Sequence, residues 1–351
     1  MTTKMVSPLL FALLFFVLSP SSSAQDLDEL YRLAKEEGSL NLYGGGPASL
    51  YTADAKLFEA KFPGIKVVIR GDFSNRLTGL IDSQIKGGKM EVDIAFLQTI
   101  QDFVRWKKEG VLVPFKPQAF AKVPPAFKDV DGAYNGLGVN SIIYAYNPKL
   151  VDKVDVPKTA KDFLHPRFMG KIISTYPHDD DITLYLYHLI VEKHGWSFMD
   201  GLMKNKPAFL MGHLGVAQKI AAGEFALSFD STSTQTIGEK VRGGNIEPVI
   251  PGDPMPIWAL TAGIFKGAPH PNAAKLYLAW YLSDEQQQQM VKRGGRWSPR
   301  NDMPAPAGFR PINDYNLGDQ FREFITDDAR IPGLRKKFEE YIGPVKGEAF
   351  R

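Results

Sequence analysis

The chain contains no cysteine. Disulfide staples, thiolate nucleophiles, Cys-ligated metals and a lipid-modified cysteine tether are therefore excluded, and the apolar core must hold the fold unaided. Charge of either sign is not in excess, with 42 Lys and Arg against 39 Asp and Glu and a net charge of +3. There is also no run of five like charges, so neither the basic patch nor the polybasic arm of a nucleic-acid partner is present. Long apolar runs are scarce. The longest, Leu9 to Leu18, is well short of the roughly 20 residues a membrane-spanning helix needs. No internal repeat and no low-complexity segment occurs.

Ordinary globular material is present: 351 residues, 44% hydrophobic and 23% charged, enough for two domains of usual size. The start of the chain carries Lys4, then the apolar run, then Ser21-Ser22-Ser23-Ala24 with small residues before a cut after Ala24. That order predicts a signal peptide over residues 1–24 and a soluble protein in the periplasm, or outside the cell. Cleavage removes Lys4 as well.

Two short runs rich in β-branched and aromatic residues organise the rest. Val139 to Tyr146 follows a loose Gly- and Asn-containing stretch and stops at Asn147-Pro148, while Ile257 to Phe265 follows a Pro-rich lead-in and ends at Lys266-Gly267. Before, between and after them strand and helix patterns alternate, which predicts an α/β protein with a largely parallel sheet covered on both faces. The reading is of two lobes, residues 25–140 plus 262–303 and residues 141–261 plus 304–351. The two runs cross side by side between them, with Tyr144 near Ala262, and a cleft opens between the lobes.

In open α/β sheets ligands sit beyond the carboxyl ends of the strands. In the first lobe that rule selects Gly45, Gly46 and Pro47 in a turn whose backbone N–H groups suit an anion, then Ser74, then Gln98 and Thr99. A turn with nothing bound explains the glycines equally well. In the second lobe it selects Tyr176, His178, Asp179 and Asp180 within Tyr176-Pro177-His178-Asp179-Asp180-Asp181. Adjacent acids at a helix start are stabilised by free N–H groups and the helix dipole, about 0.3 to 1 kcal/mol each. Such a cap accounts for one or two of the three, so a site and a cap both stand. Asp230 and Ser231 occupy the other second-lobe junction, again as cap or site. Trp258, Trp297 and Arg300 could supply an aromatic wall and a charged clamp, although tryptophan is more often core. The histidines at 165, 188, 194, 213 and 270 have no metal-ligand spacing and read as surface or helix-face residues.

The order of several fragments resembles a known family. Leu40 to Gly46, Phe58 to Val67, Val92-Asp93-Ile94-Ala95, Gly110 to Pro114, Tyr146 to Leu150 and Lys266 to Lys275 resemble the extracellular solute-binding proteins of bacterial ABC transporters, in particular the ferric-iron-binding type. The resemblance covers essentially the whole mature chain. It implies a periplasmic binding protein-like fold of type II, a hinge that closes on a small polar or charged solute, a membrane permease as partner, a monomer, no cofactor and no catalysis. Ferric transport is one alternative it implies. That branch usually holds iron through paired tyrosines after a second-lobe strand, where this chain has Phe229-Asp230-Ser231-Thr232, and no iron colour is expected. A secreted metal-assisted hydrolase built on His178 and the aspartates is the alternative of another class.

Overall fold

A computed structural model describes residues 27–315 and 320–347; the expected signal peptide lies outside these residues. Among the described residues nine strands run in chain order: β1 (Ser39–Gly45), β2 (Lys66–Asp72), β3 (Ile94–Leu97), β4 (Asn135–Tyr146), β5 (Ile173–Thr175), β6 (Ala208–Leu210), β7 (Leu227–Thr232), β8 (Glu247–Val249) and β9 (Ile257–Ile264). The first lobe carries the order β2-β1-β3-β9-β4, and the ladder continues through β4 to β7 and β8 of the second lobe. β5 pairs with β6 in parallel and touches β7 at Ile172 and Leu227.

β4 is the strand that belongs to both lobes. Its first half lies antiparallel to β9, and its second half pairs with β7 and β8. From Asn135 to Ala145 every residue is buried, as the Ile- and Tyr-rich pattern requires. The crossing of β4 and β9 matches the sequence expectation, but its register does not. Ala262 faces Asn135 and Tyr144 faces Val249, so Tyr144 and Ala262 are not neighbours. Two strands running in opposite directions meet at mid-crossing, here Asn140 and Trp258, and residues late in both diverge. The same antiparallel pairing makes the sheet mixed, rather than largely parallel.

Each lobe has its own core. In the first, helix Leu27–Glu37 lays Leu30 and Ala34 against helix Pro271–Tyr281, and Phe58, Tyr277, Trp280 and Tyr281 pack in edge-on ring contacts beside β1 and β3. In the second, Phe163, Tyr187, Phe198 and Phe229 form the centre. A fully buried aromatic or aliphatic side chain of this size contributes about 1.5 to 3 kcal/mol. Of the stretch 304–351, Ala305, Phe309, Ile312 and Tyr315 pack on the first core, and Phe321, Phe324, Ile325 and Phe338 on the second. Pro332 and Gly333 do not interrupt the last helix: both lie in the first turn of helix Ile331–Ile342, where proline's missing N–H costs nothing. The interruption falls between Ile325 and Ile331.

Candidate functional site

The cleft opens where β1 and β3 of the first lobe face the starts of the second-lobe helices, and its cavity volume is about 130 Å³. Its first-lobe wall is the turn after β1. Gly46 has φ +96°, a conformation that favours glycine, and its N–H donates to the Asp72 carbonyl at 2.7 Å. Tyr51 fixes the turn from below, its hydroxyl donating to the Gly45 carbonyl at 2.7 Å, and burial pushes this phenol well above its usual pKa. The Ser74 hydroxyl, at the start of helix Ser74–Gly87, accepts from the Gln98 N–H at 3.3 Å and so ties that turn to the end of β3.

The second-lobe wall is built on a buried carboxylate. Asp230, at the end of β7 and fully buried, accepts from the Ser174 hydroxyl, the Thr175 N–H and the Thr175 hydroxyl, each at 2.8 Å. His213 Nε2 lies 3.0 Å from its other oxygen, and His213 Nδ1 lies 3.9 Å from Asp180. Burial pulls the imidazole pKa down, but the charge of Asp230, then that of Asp180, outweighs it and the ring is pushed up to about 8. The same ring holds Asp230 below the ordinary carboxylate value despite burial.

The acid triplet resolves into three different roles. One oxygen of Asp180 accepts from the Ile182 and Thr183 N–H groups at 3.0 Å, a helix cap, while the other accepts from Gln98 Nε2 of the opposite lobe at 2.9 Å. Cap and cleft contact are thus made by one carboxylate. Asp181 is bound by Arg335 from the C-terminal helix and by Gln101 from the first lobe, the latter at 2.6 Å. The Asp179 carboxylate makes no hydrogen bond or ion pair with the described residues, while its N–H donates to the Tyr176 carbonyl at 3.1 Å, and burial, then the charge of Asp180, raises its pKa. With Thr99 and His178 it borders a second space that adjoins the first. Among the described residues no group of three or more His, Asp or Glu side chains could hold a metal ion, so the aspartates with His178 do not assemble a hydrolase centre.

Several residues expected here are elsewhere. Trp297 is fully buried, its indole N–H donating to the Arg310 carbonyl and its ring packed on Phe309 and Tyr315. Arg300 is 1% exposed and bound to Asp302, Asp284 and the Leu282 carbonyl, a structural clamp inside the first lobe. Asp230 and Ser231 stand behind the cleft wall: Ser231 bonds the Thr236 hydroxyl at 2.8 Å. Tyr176 is buried against Phe209 and His178. Gly45, Gly46, Pro47, Ser74, Gln98, Asp180 and Trp258 do line the cleft.

The positions that sequence reading missed are Arg296, Asn140, His213 and Thr234. His213 begins helix His213–Ala222 directly after β6, so the strand-to-helix rule applied to Leu210 would have found it. Arg296 sits in the loop named for Trp297 and Arg300 and reaches the cleft because Gly138 leaves room. A Cβ there would meet the Arg296 Cδ at 2.6 Å. Its Nε donates to the Asn140 side-chain oxygen at 3.1 Å.

Comparison with known proteins agrees with this architecture. A Haemophilus influenzae protein described as uncharacterized is 24% identical over 327 residues, 88% of this chain and 92% of its own length. Iron-bound HitA from Pseudomonas aeruginosa superposes with a TM-score of 0.68 at 21% identity, covering 86% of this chain and 99% of that one. AfuA from Actinobacillus pleuropneumoniae, a periplasmic binding protein with fructose-6-phosphate bound, gives 0.70 at 20% identity, covering 87% and 98%. Residues 54–312 match the family described as bacterial extracellular solute-binding protein, and with two lobes, a shared strand and a lined cleft between them, the chain belongs to that family.

Proposed function

We propose that the protein captures a small polar solute in the cleft, closes on it, and delivers it to the membrane permease of an ABC importer. The observation that carries this reading is the contact of Gln98 with Asp180 across the gap, next to open space lined from both lobes. Closure of this kind adds second-lobe contacts to a solute already held by the first, so binding shifts an open–closed population. The test is small-angle scattering and thermal melting on refolded, solute-free protein, before and after adding back whatever mass spectrometry finds co-purifying. Compaction with a raised melting temperature is expected. A protein that changes neither shape nor stability with any solute class is not a capture protein.

Ferric iron is the second reading, the one favoured by similarity to iron-binding proteins such as HitA, and two phenols stand at the cleft, Tyr51 and Tyr281. Both come from the first lobe. Their hydroxyls already donate, to Gly45 and to Asp54, and burial raises both pKa values, which opposes the phenolate that iron takes. Titration with ferric citrate separates the readings: a visible phenolate-to-iron band supports iron, and its absence in protein that still closes on an organic solute supports the first.

A further inference from the structure

The unfilled hydrogen-bonding groups of the cleft differ in balance between its two ends. At one end they are donors. The two terminal nitrogens of Arg296 have no partner among the described residues, since only its Nε is engaged, by Asn140. The Asn140 oxygen also accepts from Thr234, so what that amide still offers is its N–H2 group. Trp258 lines the same space, is 3% exposed, and its indole N–H is unpartnered. Helix His213–Ala222 points its first turn here from Gly212 without a side-chain cap, leaving backbone N–H groups open. Every one of these seeks an acceptor, and Arg296 adds a positive charge.

At the other end acceptors predominate, although His178, with both ring nitrogens unpartnered, brings one donor with its acceptor when neutral. The Asp179 carboxylate is unpaired among the described residues. Thr99, 3% exposed and bordering the same space, has an unpartnered hydroxyl oxygen. Gln101 donates its amide N–H2 to Asp181, and its carbonyl oxygen is buried and unfilled. Leaving buried polar groups unmatched is costly, so such a set belongs to a state in which something matches them. The two spaces adjoin, with Ser74, Gln98, Asp180 and Gly212 lining both.

We propose that the captured solute is a small zwitterion, its oxyanion end held by Arg296 and its ammonium end by Asp179. The inference rests on the solute-capture reading above and narrows it. An ammonium group brings three donors to the three unfilled acceptors at that end, and a phosphonate or carboxylate brings acceptors to the donors at the other. Asp179 comes from the second lobe and Thr99 and Gln101 from the first, so the ammonium would also draw the lobes together. Its charge relieves the mutual repulsion of Asp179 and Asp180, to which Arg335 and Arg76 contribute only at longer range.

The test is calorimetric titration of refolded, solute-free protein with 3-aminopropylphosphonate, 4-aminobutyrate, propylphosphonate, propylamine and fructose-6-phosphate. A zwitterion is expected to bind about tenfold or more tightly than either singly charged analogue, the worth of one charge-assisted contact. Which of the two zwitterions binds tighter distinguishes phosphonate from carboxylate. D179N is expected to lose the preference for 3-aminopropylphosphonate over propylphosphonate and to keep propylphosphonate binding. R296Q is expected to weaken both phosphonates and to leave propylamine unaffected. Unliganded melting temperatures verify that both variants fold. Equal affinity for zwitterion and single-charge analogue, an unchanged preference in D179N, or no binding by either zwitterion overturns the proposal. Tight binding of fructose-6-phosphate with lobe closure overturns it while leaving solute capture standing, whereas failure of every solute to close the lobes removes both.

Discussion

The side-chain amide of Gln98, on the first lobe, donates to the carboxylate of Asp180, on the second, at 2.9 Å, while that carboxylate also caps a helix. A single residue therefore couples the lobe gap to the start of helix Asp181–His194. Replacing Gln98 with alanine leaves the cap intact and removes the bridge. Solute affinity is expected to fall about fivefold, for a half-buried hydrogen bond of about 1 kcal/mol, and the solute-free protein to expand in small-angle scattering. An unchanged affinity and radius would deny the bridge any part in closure.

The pairing of His213 with Asp230 sets a pH window. The imidazole pKa is raised to about 8 from an ordinary value near 6.5, so its contribution is complete below about 6.5 and lost as pH rises through 8. Asp230 is shifted downward, so its contribution is present above the ordinary carboxylate range and lost as pH falls through its lowered value. Urea unfolding across pH is expected to show stability falling between pH 6.5 and 9 by on the order of 2 kcal/mol. H213Q should flatten this alkaline limb. A limb of the same size in H213Q would assign it elsewhere.

Arg300 and Arg296 lie four residues apart and differ in task. R300Q strands the Leu282 carbonyl and two aspartates around a buried position, with an expected stability loss of about 2 kcal/mol and an unchanged solute affinity. R296Q is expected to lower affinity with little effect on the melting temperature. Parallel titration and urea unfolding read both quantities, and a reversed pattern would exchange the two assignments.

Gly71, in β2, lies where the turn after β1 folds back. An added Cβ would meet the Ala48 nitrogen at 2.3 Å and the Gly46 carbonyl at 2.6 Å, both backbone atoms that cannot swing aside. G71A should displace Gly46 and Pro47 from the cleft wall. A stability loss of about 2 kcal/mol is expected, together with weakened capture. A variant with full stability and affinity would mean that the turn can shift freely.

The crossing strands, their bounding turns and the strand-to-helix alternation were legible in the sequence because punctuation and β-branched runs are local signals. So were Gly46, Ser74 and Gln98, which follow strand ends. Register was not legible: nothing local says that Asn135, rather than Tyr144, lies opposite Ala262. Nor were the fates of Trp297 and Arg296. Arg296 and Trp297 are adjacent in one loop, and Gly138 together with the backbone pairing of Val139 and Trp297, on a strand far away in sequence, sets which of them faces the cleft. The acid triplet looked like one feature because charge repulsion is visible in sequence, but its partners come from two distant places, Gln98 and Gln101 from the junction after β3 and Arg335 from the last helix.

The first core is completed by helix Pro271–Tyr281, whose Tyr277 and Trp280 cover Phe58 and face helix Leu27–Glu37. The earliest residues to leave the ribosome thus wait for some of the last. Until about four-fifths of the chain has been made, Leu30, Phe58 and their neighbours have no lid. A chain built this way cannot close its first core until Trp280 has been made, because the aromatic ring contacts of Phe58 come from that late helix.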